Sequence, residues 1–89
     1  MEIPPEVKPF FDGDGKLKQW PGKQSKQVIV IGLLAEGFED GKQYTEIEVN
    51  NILNSLHTYR DPVSLRRSLI EYKLLSRSTD GRSYWKNPK

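Results

Sequence analysis

YTEIEVNNILNSLHTYRDPVSLRRSLIEYKLL, residues 44–75, is the stretch on which the fold turns. Thr45 and Glu48 form a T-x-x-E capping box, in which each side chain satisfies a free backbone N–H near the other. Val49, Ile52, Leu53 and Leu56 then recur at i, i+3, i+4 and i+7, which makes one apolar stripe of a helix ending near His57. A short polar turn, HTYRD, follows. Asp61 is a good N-cap, and Pro62 suits the first helical position, where its missing N–H costs nothing. Leu65, Leu69, Ile70 and Tyr72 share a broad apolar arc of this next helix, and Arg60, Ser64, Arg67, Ser68 and Glu71 lie opposite. Arg66 and Lys73 fall on the apolar side or its border. Arg66 is therefore expected to lay its stem along the core edge and reach a carboxylate or carbonyl. Arg67, one residue and 100° further on, is expected to point to solvent.

Downstream, LLSRSTDGRSYWK (residues 74–86) reads as two strands around an Asp80-Gly81 turn. With those two residues as the loop, Ser78 faces Ser83, Arg77 faces Tyr84 and Ser76 faces Trp85. Leu74 and Trp85 then share one face, and Arg77, Tyr84 and Lys86 the other. A slip of one residue exchanges the aromatics, so which of Tyr84 and Trp85 meets the core stays open here.

Upstream, SKQVIVIGLLAEGF (residues 25–38) has apolar residues at helical spacing, with Ser25 as an N-cap and Gly37 as a stop. The β-branched VIVI also suits a buried strand. Length and the LLAE continuation favour the helix. A short extended element fits near Gln43-Tyr44. The order is then three helices and a hairpin: an α+β winged helix-turn-helix with the third helix in the recognition position.

The front of the chain, FFDGDGKLKQWPGK (residues 10–23), resembles the start of a calcium loop. An EF-hand wants oxygen ligands at its first, third and fifth positions, glycine at the sixth and glutamate at the twelfth. Counted from Asp12, those last three places hold Lys16, Leu17 and Lys23. The metal reading fails, and turn chemistry is left. The aspartates bend the chain so that Phe10, Phe11, Leu17 and Trp20 form an extended apolar flap. Sequence alone leaves open whether that flap packs inward or docks a partner. Residues 1–9 are expected to be a flexible N-terminal segment and residues 10–87 a single winged-helix-like domain.

Charge is distributed unevenly along the 89 residues. Up to His57 there are six lysines and arginines against nine acidic residues; beyond it there are eight against three. A basic C-terminal third suits an anionic partner such as nucleic acid. There is no cysteine, so thiolate chemistry, disulfides and zinc-thiolate sites are excluded. The N-terminus lacks the basic start and apolar middle of a signal peptide, and no apolar run approaches a membrane span. These features lead to the expectation of a cytoplasmic protein that engages neither membrane nor metal.

GKLKQWPGK, LLAEGFEDGKQYTEIEVNNIL, H-x-x-x-D-x-x-x-LRRSLIEYKLLSR and DGRSYWK together resemble a bacterial domain of unknown function, family 2087. The resemblance runs from about Phe10 to Lys86, and its most specific parts are YTEIEVN, LRRSLIEYKLLSR and the closing YW. That domain occurs alone and behind helix-turn-helix regulators, and is described as a transcriptional-regulator domain. The resemblance implies a winged-helix-like fold and a cytoplasmic location, and it loosely implies DNA binding. Lys73 stands where the family commonly has glycine, which implies a longer third helix.

Catalysis is not expected. His57 is the only histidine, no serine sits in a nucleophile motif, and no glycine loop has phosphate-binding spacing. His57 reads as a helix-end residue, favoured by the helix dipole or hydrogen-bonded to the following turn. No cofactor is implied. The expected partner is double-stranded DNA, met by Arg60 on the helical spiral extended back from the third helix, by Ser64, Arg67 and Ser68 on that helix and by Arg77, Arg82 and Lys86 on the wing. The alternative is a winged-helix protein-interaction or regulatory module without DNA binding.

Overall fold

The computed structural model describes residues 2–88. Its elements run α1 (Gln24–Ala35), β1 (Gln43–Tyr44), α2 (Glu46–Leu56), α3 (Pro62–Glu71), β2 (Leu75–Arg77) and β3 (Tyr84–Lys86), after a single 3-10 turn at Lys8–Phe10. The three strands form one antiparallel sheet in the order β1-β3-β2. This is an α+β winged-helix arrangement, with α2 and α3 as the helix-turn-helix and β2-β3 as the wing.

The VIVI segment lies inside α1, where Val30, Ile31, Leu33 and Leu34 are buried. The expected Ser25 cap is displaced. Lys23 is the N-cap, and its carbonyl accepts from Lys26 and Gln27, so Ser25 falls within the first turn. α1 ends at Ala35. Gly37 follows in a turn where a Cβ would stand 2.8 Å from Leu56 Cδ1, so a larger residue there would have to move the Leu56 side chain aside. The capping box of α2 is formed in both directions: Glu48 N–H donates to Thr45 Oγ1 at 3.1 Å, and Thr45 N–H to Glu48 Oε1 at 2.8 Å.

α3 starts as expected, with the Asp61 carboxylate accepting from Ser64 N–H at 3.2 Å and Pro62 at the first position. It is not lengthened by Lys73. That residue takes φ +61°, and the chain closes a Schellman motif: Lys73 N–H to Ile70 C=O at 3.0 Å and Leu74 N–H to Leu69 C=O at 2.9 Å. The lysine adopts the left-handed conformation that usually falls to glycine because these two bonds, and the burial of Leu69 and Leu75 on either side, hold it there.

The wing keeps the register Ser76↔Trp85 and Arg77↔Tyr84. Its loop is longer than the two residues expected. Gly81 N–H closes a turn onto Ser78 C=O at 3.0 Å, and the Asp80 carboxylate accepts from Ser78 Oγ and Arg82 N–H. The inward face is that of Tyr84, which is buried along with Tyr44 and Leu75, while Trp85 is half-buried on the other face.

The N-terminal flap packs inward. Asp12 Oδ1 accepts from the N–H groups of Asp14 and Lys16 at 2.9 Å each, which turns the chain so that Phe11 pairs with Leu17. Leu17 N–H then donates to Leu56 C=O, and its C=O accepts from Thr58 N–H, both at 2.9 Å. The strap thus crosses the end of α2, with Leu17 fully buried. Packed structure also reaches back before residue 10: Val7 is fully buried, and Val7 N–H bonds to Pro4 C=O at 3.1 Å. No helix among the described residues is long and apolar enough to cross a membrane.

Candidate nucleic-acid interface

The turn between α2 and α3 sets how α3 is presented. His57, 4% exposed, ends α2, and both ring nitrogens are engaged. Nδ1 lies 2.6 Å from Leu53 C=O, and Nε2 accepts from Asp61 N–H at 2.8 Å. That pattern assigns the neutral tautomer with the proton on Nδ1. The ring therefore ties the last turn of α2 to the N-cap of α3, which is the bond to the following turn expected of it. Tyr59 packs edge-on against it, with centroids 4.8 Å apart. Burial, helped by the Asp61 carboxylate, pushes the Tyr59 phenol up to about 12, so its hydroxyl stays uncharged. Hydrogen bonds from Ser64, with Arg67 adding electrostatic support, hold the Asp61 carboxyl below its usual range.

Arg60 sits in this turn at φ +54° and is exposed, beside a polar recess lined by Asn54, His57, Thr58 and Pro62. Along α3, Ser64 and Arg67 are exposed and Ser68 is half-buried. Arg66 behaves differently from its neighbour. Its guanidinium donates to Asn50 Oδ1 and lies 3.4 Å from the Glu46 carboxylate, so it is spent on joining α3 to α2.

Across from α3 stands the wing. A recess of about 360 Å3 between them is lined by Arg66, Arg67, Ile70, Glu71, Arg77 and Tyr84. Tyr84 forms its floor, with its hydroxyl 3.4 Å from Glu46 Oε1. Arg82 is exposed at the wing tip, its backbone held by Asp80. Lys86 goes elsewhere. Its ammonium donates to Phe38 C=O at 3.2 Å and lies 3.8 Å from the Asp40 carboxylate, and its side chain is only 13% exposed. The strand alternation that turns Tyr84 inward turns Lys86 inward too, so it braces the loop after α1 instead of extending the wing's basic edge. Among the described residues Arg60, Arg67, Arg77 and Arg82 have no ion pair within 4.0 Å.

Of the seven candidates, the fold thus brings Arg67 and Arg77 to one recess, leaves Ser64 exposed and Ser68 half-buried on α3, places Arg60 in the turn before α3 and Arg82 at the wing tip, and withdraws Lys86. Sequence reasoning missed the walls of that recess. Tyr84 and Arg66 line it, and the alternation of the hairpin was the signal for the tyrosine once the core face was known. Among the described residues, no group of three or more His, Asp or Glu side chains is placed to hold a metal ion.

No curated protein and no solved structure is significantly similar to the chain. The family model described as "Uncharacterized protein conserved in bacteria (DUF2087)" matches residues 16–86, from the strap through the last strand, and the chain belongs to that family.

Proposed function

We propose that the chain is a DNA-binding winged-helix module acting in transcriptional regulation in the cytoplasm. The observation that carries this reading is the division of labour among the arginines. Arg66 is consumed inside the fold, while Arg67 on α3 and Arg77 on the wing line one recess and have no ion pair within 4.0 Å among the described residues. An exposed helix face with hydroxyl and guanidinium donors suits the major groove, and a basic wing suits the flanking phosphates. α3, at ten residues, is about 15 Å long, enough to lie in a groove about 12 Å wide.

Glu71 on the rim of the recess favours the competing reading, a protein-docking module, because a carboxylate there repels phosphate and accepts from a partner's basic side chain. An NMR titration with random-sequence duplex DNA over a salt series separates the two. DNA binding predicts amide shifts along α3 and the wing and an affinity falling steeply with salt, since each neutralised phosphate releases counterions. Absence of shifts at low salt would sink the DNA reading.

A further inference from the structure

α1 carries a second apolar strip that the described chain covers only in part. Val28 is 48% exposed, Ile29 and Gly32 are half-buried beside it, and with Leu33 and Leu74 they form the apolar floor of an open groove of about 310 Å3 whose rim carries Glu36 and Lys86. Gly32 is unexplained by the chain's own packing. A glycine inside a helix costs about 1 kcal/mol relative to alanine, yet a Cβ at this position would meet no atom within 4 Å. It leaves a notch facing outward.

The ends of α1 are charged against its own dipole. Its first turn holds no acidic residue and no side chain caps it, its last turn holds no basic residue, and Glu36 occupies the C-cap. A helix N-terminus favours an anion and a C-terminus disfavours one. Taken alone, the element is mismatched at both ends. Two copies packed antiparallel correct both mismatches, because each Glu36 then lies beside the Gln24 and Ser25 N–H groups of the other, the first-turn donors that Lys23 C=O does not take up.

We infer that this face docks a second copy of the chain through an antiparallel α1–α1 contact with two-fold symmetry. In this register Ile29 of each copy fills the notch over Gly32 of the other. Val28 lies over the edge of Leu33 that its own chain leaves 8% exposed, and Glu36 meets Ser25 and the N–H groups of Gln24 and Ser25. The contact is isologous, so every favourable pair occurs twice. The proposal does not rest on the nucleic-acid reading, because association is measured without DNA.

Sedimentation equilibrium of the full chain across a concentration series tests it, with charge variants at the two ends. The wild type is expected to approach twice the monomer mass as concentration rises. Glu36→Lys and Ser25→Glu should each weaken association by about tenfold, the equivalent of 1.4 kcal/mol. The double variant should restore it by reversing the pair. Each single change places a charge favourably on the dipole of its own helix, so thermal melts of the monomer should hold steady or rise, which separates lost docking from misfolding. A wild type that stays monomeric into the millimolar range would overturn the proposal. Single variants that associate normally would do so too, as would a double variant no better than the singles.

Discussion

Two non-glycine residues, Arg60 and Lys73, hold left-handed backbone angles, φ +54° and +61°. For a residue with a Cβ that conformation costs roughly 1–2 kcal/mol, and glycine returns part of the gain as lost chain entropy of roughly 0.5–1 kcal/mol. Lys73→Gly should therefore stabilise the fold by about 0.5–1 kcal/mol, read as a rise in the urea midpoint at unchanged slope. An unchanged or lower midpoint would mean that the Schellman motif does not strain the lysine. Arg60→Gly should stabilise by a similar amount while weakening any DNA affinity, because the relieved side chain is also a candidate phosphate contact. At His57 the side chain itself is the linker. His57→Ala leaves Leu53 C=O and Asp61 N–H without their partner, and the loss should be about 2–3 kcal/mol. A variant that melts like the wild type would show that water takes over both bonds.

Helices α2 and α3 are held at their starts by carboxylates, and this sets how the fold responds to acid. Thr45→Ala should cost about 1 kcal/mol, with the loss confined to stability. Hydrogen bonds from Thr45 hold the Glu48 carboxyl below its usual range, hydrogen bonds from Ser64 do the same for Asp61, and Ser78 and Arg82 for Asp80. A carboxyl whose pKa is lower in the folded than in the unfolded chain stabilises the fold above its unfolded value of about 4. That stability disappears as pH falls through the lower, folded value. Chemical denaturation at a series of pH values should show a plateau above about pH 5 and a decline below about pH 4. A stability rising toward acid would contradict these assignments. The rotation of α3 is tested by its adjacent arginines. Arg66→Ala should cost about 1–2 kcal/mol through its lost bond to Asn50. Arg67→Ala should shift stability by no more than about 0.5 kcal/mol, and should weaken DNA binding by about 1–3 kcal/mol for a base contact, or lower the salt slope by about one for a phosphate contact.

At the scale of the molecule, the strap around Leu17 makes the N-terminal flap part of one cooperative unit. Leu17 is fully buried and its backbone bonds both Leu56 and Thr58, so it touches the helix-turn-helix at its hinge. Leu17→Ala should cost about 2–5 kcal/mol and leave a single unfolding transition. A separate early transition for the flap would show that it is an appendage. The same strap lies over the α2 end of the turn and does not line the α3–wing recess, so any DNA affinity of the wild type should be unchanged in this variant whenever it is folded. The two surfaces proposed for partners are also distinct in chemistry, the recess at α3 basic and the outer groove of α1 apolar. Salt should therefore weaken the first contact steeply and the second less, through Glu36 at its two ends.

What the sequence by itself determined are the features with local physical causes. The capping box at Thr45 and Glu48, the Asp61-Pro62 start of α3, the stripe from Val49 to Leu56 and the pairing of Arg77 with Tyr84 all follow from neighbours a few residues apart. The opposed placements of Arg66, bonded to α2, and Arg67, exposed to solvent, followed from a 100° rotation alone. The tertiary structure decided matters that rest on distant partners. Tyr84 became the inward aromatic because β1 and α2 offer it Tyr44 and Glu46, residues about forty positions away. Lys86 left the candidate interface because Phe38 C=O and Asp40 stand where its side chain emerges. Lys73 ended α3 where its own helix propensity would have continued it, because the buried residues on both sides require the chain to turn there. Periodicity states which side of an element is apolar, and only the assembled core states what that side meets.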